Sequence, residues 1–156
     1  MEYRTRIQFI IVLLLAMLAG CTDSESEKQS EAQLLVDRMV SAANKLDKEE
    51  YRLLLADDVK ISIRSEENGQ KRVISPSKNQ YIAMLSQARA QVENYNLSVS
   101  GTQITVEGDK TRITSEVSES MKINGKVLNS RSREELTVVF RDGKPVVTEY
   151  VAYVGG

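Results

Sequence analysis

Three turn signals at regular spacing in the second half of the chain constrain its fold more than any other feature. They are the dipeptides Gly108-Asp109, Asn124-Gly125 and Asp142-Gly143. Apolar and polar side chains alternate on both sides of each dipeptide, which is the pattern of a half-buried strand. Because such dipeptides join antiparallel neighbours, the pattern predicts four strands in hairpin order, at about 97–106, 111–123, 126–140 and 145–154.

The turn of the central hairpin fixes its register. If Asn124-Gly125 is a two-residue loop, Ile113 lies opposite Leu136, and both face the same side of the sheet. On the other side Glu116 then lies opposite Arg133, which is a favourable cross-strand charge pair. A slip of one residue would send these side chains to the wrong faces, so we expect this register.

Two further details of the sheet follow from its alternation. The apolar positions, which are expected to face inward, are odd-numbered before Gly101 and even-numbered after it. We therefore expect a β-bulge near Gly101 that bends the sheet. In the last hairpin the residue opposite Glu134 depends on the loop. A three-residue loop, Arg141-Asp142-Gly143, places Tyr150 there, and a two-residue loop places Val151.

The first half of the mature chain has a helical period. Apolar residues at spacings of three and four predict a helix over about 30–46, and Asp47 is the predicted N-cap of a short helix ending near residue 55. Alternation predicts a strand at 59–64 and a short returning strand at 71–74. Ser77-Lys78-Asn79-Gln80 is a capping box that opens a third helix.

Two passages carry a resemblance to a known superfamily. The first is the short helix followed by Leu54-Leu55-Ala56-Asp57-Asp58-Val59, and the second is the hairpin Phe140-Arg141-Asp142-Gly143-Lys144. Over residues 31–154 the chain resembles the nuclear transport factor 2-like (SnoaL-like) superfamily, although Pro145 stands where an aromatic residue is common. The resemblance implies an α+β fold, in which a cone-shaped, bent antiparallel sheet packs on N-terminal helices and often encloses a pocket.

The N-terminal sequence predicts export to the cell envelope. Residues 1–20 are the predicted signal peptide, because positively charged side chains come first and an apolar run follows them. Leu18-Ala19-Gly20-Cys21 resembles the lipobox of bacterial lipoproteins, which implies that Cys21 is acylated and anchors the protein to a membrane. Residues 21–30 form the predicted flexible tether, and residues 31–156 the folded domain. Thr22, rather than an aspartate, follows the cysteine, so the resemblance favours the periplasmic face of the outer membrane over the inner membrane.

Composition excludes several classes of chemistry. The chain has no His, one Cys and a net charge of −1. We therefore expect no metal site, no cofactor and no nucleic-acid partner. Dehydratases of the superfamily use a His that this chain lacks, and the isomerase pattern needs a Tyr on the first helix, so no catalytic residue transfers from the resemblance.

Polar residues interrupt the inward face of the predicted sheet. The candidate pocket residues are Ser115, Glu119, Ser132, Glu134 and Tyr150. A carboxylate is rarely buried without a partner, so three interpretations stay open: a ligand pocket, a wet end of the cone, or a face covered by another subunit. The remaining tyrosines, at 51, 81, 95 and 153, are too scattered in the sequence to predict a stacking platform.

These observations favour an envelope lipoprotein with a non-catalytic domain that binds a small apolar ligand or an envelope protein. The alternative is a small acid/base enzyme, of isomerase, cyclase or dehydratase type, that uses Glu119 or Glu134. A closed cavity around Glu134 and Tyr150 would favour the enzyme, whereas a filled interior would favour binding or assembly. The outer sheet face is polar, so we expect no more than a weak homodimer through it.

Overall fold

The computed structural model describes the backbone of residues 2–67 and 69–155, and the side chains of residues 24–67, 69–88 and 90–155. Within that part of the chain there are three helices and six strands. They follow one another as α1 (Glu2–Lys45), α2 (Lys48–Leu54), β1 (Leu55–Glu67), β2 (Gln70–Ile74), α3 (Lys78–Ala90), β3 (Asn94–Glu107), β4 (Lys110–Ile123), β5 (Lys126–Arg141) and β6 (Lys144–Val154).

The six strands form one unclosed sheet in the order β2-β1-β6-β5-β4-β3. Strands β3 to β6 are the predicted antiparallel meander. The sheet as a whole is mixed rather than antiparallel, because β1 pairs with β6 in parallel. A parallel pair needs a long crossover, and the chain from β2 through α3 to β5 supplies it.

The register of the central hairpin is confirmed. Ile113 pairs with Leu136 and Glu116 with Arg133. Asn124 and Gly125 have φ angles of 50° and 77°, the positive values that a two-residue hairpin turn of this kind requires. The bulge near Gly101 is also confirmed, since the β3–β4 register shifts between Ser100 and Gln103 and Gly101 has a φ of 61°.

Neither register predicted for the last hairpin is correct. Ala152 lies opposite Glu134, and Tyr150 lies opposite Leu136. The loop has two residues. Beyond the loop the register shifts by one residue, because Thr148 is an extra residue in β6. The hydroxyl of Thr148 donates a hydrogen bond to the Thr137 carbonyl at 3.2 Å across this bulge.

The helices begin and end at sequence signals. Leu46, with a φ of 54°, closes α1: its N–H bonds to the Ala43 carbonyl at 3.1 Å, and the Asp47 N–H bonds to the Ala42 carbonyl at 2.9 Å. Asp47 is the predicted N-cap of α2 and accepts from the Glu50 N–H at 3.1 Å. The predicted capping box of α3 is complete, because Ser77 and Gln80 bond each other's N–H groups at 2.9 and 3.3 Å.

The segment predicted to be a flexible tether is helical where it is described. Residues 24–30 continue α1 towards the N-terminus, and Lys28 donates a hydrogen bond to the Gly108 carbonyl at 3.0 Å. Extending an existing helix costs far less than nucleating one, and Glu, Lys and Gln are good helix formers. The signal peptide and Cys21 lie outside the residues whose side chains are described. Among the described residues, no helix is long and apolar enough to cross a membrane.

The core lies between α1, α2 and the concave face of the sheet. Helix α1 contributes a buried stripe, Ala32, Leu35, Val36, Met39, Ala42 and Ala43. The sheet contributes Ile113, Leu136, Val138 and Val147, all buried. Asn44 ties the helix to the edge strand, because its side-chain amide exchanges two hydrogen bonds with the backbone of Leu97, at 2.9 and 2.7 Å.

Candidate functional site

Packing leaves a cavity of about 70 Å³ between the helices and the concave face of the sheet. The side chains that α1 contributes to its wall are all apolar, whereas the strands contribute both apolar and polar side chains. Four tyrosines enter it, Tyr51, Tyr81, Tyr95 and Tyr150. Three polar strand residues complete it, Ser115, Glu119 and Glu134. We call this space the inner cavity.

Glu134 is the carboxyl group of the inner cavity whose pKa is raised. Tyr150 lies on the adjacent strand and on the same face, and its hydroxyl donates to Glu134 Oε1 at 2.7 Å. Within the described part of the chain, no group donates a hydrogen bond to Glu134 Oε2. Burial raises the pKa of Glu134 to about 7; the Tyr150 hydrogen bond opposes this rise, and the charge of Glu119 adds to it.

Glu119 differs from Glu134 in that both of its oxygens are occupied. Tyr95 donates its hydroxyl to Glu119 Oε1 at 2.5 Å, and Ser130 donates to Oε2 at 2.9 Å. An ionised carboxylate accepts on both oxygens, and the short distance to Tyr95 is typical of a charge-assisted hydrogen bond. Both oxygens of Glu119 are therefore engaged by hydroxyl donors of the protein.

The sequence predicts no stacking platform from its scattered tyrosines, and what the fold brings together is a cluster of tilted rings. Tyr51 and Tyr81 meet edge-to-face with ring centroids 6.4 Å apart, and Tyr81 and Tyr150 are tilted at 5.6 Å. They come from α2, α3 and β6, so only the tertiary fold brings them together. Tyr153 stays apart, and the Arg64 guanidinium lies over its ring at 5.3 Å.

Burial keeps these four phenols neutral. It is the largest cause of the raised pKa of Tyr51, Tyr81, Tyr95 and Tyr150. The carboxyl group of Glu134 raises all four pKa values further, and that of Glu119 raises those of Tyr51, Tyr81 and Tyr95, because a phenolate beside a carboxylate is disfavoured. All four residues are therefore hydrogen-bond donors with intact aromatic faces.

Four of the five candidate pocket residues line the inner cavity: Ser115, Glu119, Glu134 and Tyr150. Ser132 does not line it. It is opposite Val117 and half-buried, and Ser130 contacts Glu119 instead. Sequence reasoning missed the roles of Tyr51, Tyr81 and Tyr95. A signal was available for Tyr81, which falls on the apolar face of the third helix.

A second, outer cavity of about 230 Å³ adjoins the first. The two cavities are adjacent, because both are lined by Tyr51, Leu85 and Tyr95. The outer cavity is mostly apolar, and Lys48, which is exposed, lies on its wall. A cavity of about 150 Å³ can hold benzene, so the outer cavity has room for a six-membered ring.

In the part of the chain whose side chains are described, no three His, Cys, Asp or Glu residues are grouped as metal ligands. The two cavities offer a ring-sized apolar space next to a smaller space with phenol donors and carboxylate acceptors. One carboxylate oxygen of the smaller space receives no hydrogen bond from the described residues.

This arrangement of helices on a curved, unclosed mixed sheet is the nuclear transport factor 2-like fold, as the sequence predicted. An NTF2-like protein from Cytophaga hutchinsonii has the same fold, with a TM-score of 0.64, 16% identity, and coverage of 81% of this chain and 97% of that one. A conserved protein from Planctomyces limnophilus superposes with a TM-score of 0.72 and 14% identity, over 83% of this chain and 97% of the other.

A putative scytalone dehydratase from Novosphingobium aromaticivorans also has this fold, with a TM-score of 0.69, 14% identity, and coverage of 85% and 87% of the two chains. Identities this low establish a shared fold and leave function to the site itself. No family model matches the sequence. No curated protein matches it either.

Proposed function

We propose that this protein is a lipid-anchored envelope protein whose domain binds a small organic ligand without transforming it. The observation that carries the proposal is the carboxyl group of Glu134, which lines the inner cavity and has no donor to its Oε2 atom among the described residues. Glu134 is half-buried, and desolvation raises its pKa, so the ionised carboxyl group is disfavoured there. A ligand that donates a hydrogen bond to Oε2 would stabilise the ionised form.

The anchor is proposed from the sequence. Cys21 ends a lipobox-like passage directly after the apolar run of the signal peptide. Two or three acyl chains would hold the domain on a membrane, since each buried CH₂ adds about 0.8 kcal/mol. Thr22 after the cysteine supports the periplasmic face of the outer membrane as the location. An envelope protein as partner remains a prediction without a surface to support it.

An acid/base enzyme is the second candidate, and one observation favours it. Glu134 and Tyr150 share a cavity, and the Glu134 pKa of about 7 suits a general base at neutral pH. The surroundings oppose this role. Removing a proton leaves negative charge on the substrate, and Glu119 supplies a second carboxylate in the same cavity. No Lys or Arg lies among the lining residues described to stabilise that charge.

The proposal is tested by looking for a molecule that travels with the protein. The full chain and its Glu134→Leu variant are purified from membranes in the same way, and their organic extracts are compared by mass spectrometry. We expect a small molecule enriched with the parent protein and depleted at least about tenfold in the variant, as loss of a charge-assisted contact implies. Extracts that do not differ would contradict the proposal.

The same material separates binding from catalysis. The enriched molecule is returned to the purified protein, and its chemical identity is followed over time. A binding domain releases the molecule unchanged. Conversion that Glu134→Leu abolishes would establish the enzyme instead. Glu116→Leu is the matched control, because Glu116 lies on the neighbouring strand with its side chain exposed on the opposite face.

A further inference from the structure

We infer that the ligand of these cavities is a small organic cation, an alkyl- or arylammonium ion whose charged group lies in the inner cavity and whose ring or chain fills the outer one. This inference rests on the proposed function, and it names the chemical class of ligand that the site would take.

The charges of the inner cavity all have one sign. Glu134 and Glu119 both line it, and no cationic side chain is among its described lining residues. Ser115 is opposite Glu134, and Glu119 lies four residues along the same strand from Ser115, roughly 13 Å of extended chain. The two carboxylates therefore act at different points of the wall, Glu134 as the direct partner and Glu119 as a more distant source of negative potential.

The hydrogen-bonding capacity of the cavity also fits a donor. Glu134 Oε2 has an open acceptor position, whereas Glu119 already receives the hydroxyls of Tyr95 and Ser130. An ammonium group has three N–H donors and no acceptor. An anion would meet two carboxylates with no compensating cation, and a neutral alcohol would make the hydrogen bond without gaining the charge interaction.

Aromatic faces supply the second recognition element. Tyr51, Tyr81, Tyr95 and Tyr150 all line the inner cavity, and three of the rings pack against one another at centroid distances of 5.6 and 6.4 Å. Organic cations bind over aromatic rings because the ring face carries negative charge, and the attraction grows when water is excluded. The four phenols stay neutral and keep their rings available to a cation.

The shape of the two spaces sets the size of the ligand. The inner cavity, about 70 Å³, holds an ammonium group and a carbon or two. The outer cavity, about 230 Å³, has apolar walls from Ala43, Leu46 and Leu85 and accommodates one ring. Lys48 is on the outer wall, so a second positive charge at that end of the ligand is disfavoured. A monocyclic monoamine fits these limits.

The test compares three small molecules that share a cyclohexane ring and differ in the charge of their polar group. Cyclohexylammonium chloride, cyclohexanol and sodium cyclohexanecarboxylate are titrated by calorimetry into the full chain in a non-ionic detergent at pH 8. We expect the ammonium to bind about tenfold or more tightly than the alcohol, and the carboxylate to bind more weakly still. In Glu134→Gln the ammonium should lose this advantage while the alcohol stays within about twofold, and Glu116→Gln should change neither.

A second pair of variants addresses the rings. Tyr81→Phe keeps an aromatic face and Tyr81→Leu removes it, so the ratio of ammonium to alcohol affinity should fall only in Tyr81→Leu. The ratio is measured within each variant, and a general loss of folding would lower both affinities together. Equal binding of ammonium and alcohol to the parent protein would overturn the inference and leave the proposed function standing. Absence of binding by all three probes would overturn both.

Discussion

Replacing Glu134 with Gln should change how the stability of the protein depends on pH. Burial raises the pKa of this carboxyl group from an ordinary value near 4.5 to about 7. A difference of one in pKa corresponds to about 1.4 kcal/mol, so the rise amounts to about 3 kcal/mol of folding free energy. Because the folded pKa is the higher one, this stability is fully present below pH 4.5 and is lost as the pH rises through 7.

The Gln side chain is nearly the same size and does not titrate. Its amide oxygen can accept the Tyr150 hydroxyl as the carboxyl group does. We therefore expect the variant to match the parent protein within about 1 kcal/mol at pH 4.5 and to be more stable by about 3 kcal/mol at pH 8. The groups that share the cavity with Glu134 are Glu119, Tyr51, Tyr81, Tyr95 and Tyr150, and α1 contributes no titratable one.

Urea unfolding between pH 4.5 and 8 measures the effect. The chain has no Trp, so far-UV circular dichroism of the full chain is the appropriate signal. Glu116→Gln is the control, since it removes an exposed carboxylate from the neighbouring strand. If the parent protein and Glu134→Gln lose stability in parallel as the pH rises, Glu134 is not desolvated in solution and the reasoning from burial fails.

Three further predictions address other parts of the chain. Cys21→Ser should abolish labelling by a fatty-acid probe and leave the precursor unprocessed; continued labelling would rule out Cys21 as the anchor. Tyr95→Phe removes a short hydrogen bond to Glu119 and should cost about 1.5–3 kcal/mol in urea unfolding. Tyr153→Phe, in which only a half-buried hydroxyl is lost, should cost under about 0.5 kcal/mol. Sedimentation should show no more than weak self-association through the polar outer face, and a tight nanomolar dimer through that face would contradict this.

The sheet could be predicted from the sequence because its determinants are local. A two-residue turn at Asn124-Gly125 fixes every pair along β4 and β5, and the change of parity at Gly101 marks the bulge. The last hairpin shows the limit of this reasoning. Its turn is located correctly by the Asp142-Gly143 signal, but one extra residue at Thr148 shifts the register beyond it. No turn signal in the sequence marks Thr148.

The candidate site could be predicted only in part, because only some of its residues are placed by local sequence patterns. Ser115, Glu119 and Glu134 lie on two adjacent strands whose alternation fixes the face that they share. Tyr51 and Tyr81 lie on short helices whose position over the sheet depends on tertiary packing. Nothing in their spacing along the chain places one ring against the other, so the aromatic part of the cavity emerged only with the fold.

The composition of the inner cavity is hard to explain by stability alone. Val117, Leu136 and Val138 show that the concave face of the sheet packs well with apolar side chains, and these three are buried. A Leu at position 134 would avoid desolvating a carboxyl group, although it would leave the Tyr150 hydroxyl without this acceptor. Glu134 accepts the buried Tyr150 hydroxyl, but burial raises its pKa, so its ionised form is present at a cost to the folded protein. A ligand that donates to Oε2 would offset that cost only when bound, which is the behaviour expected of a binding site rather than of a structural carboxylate.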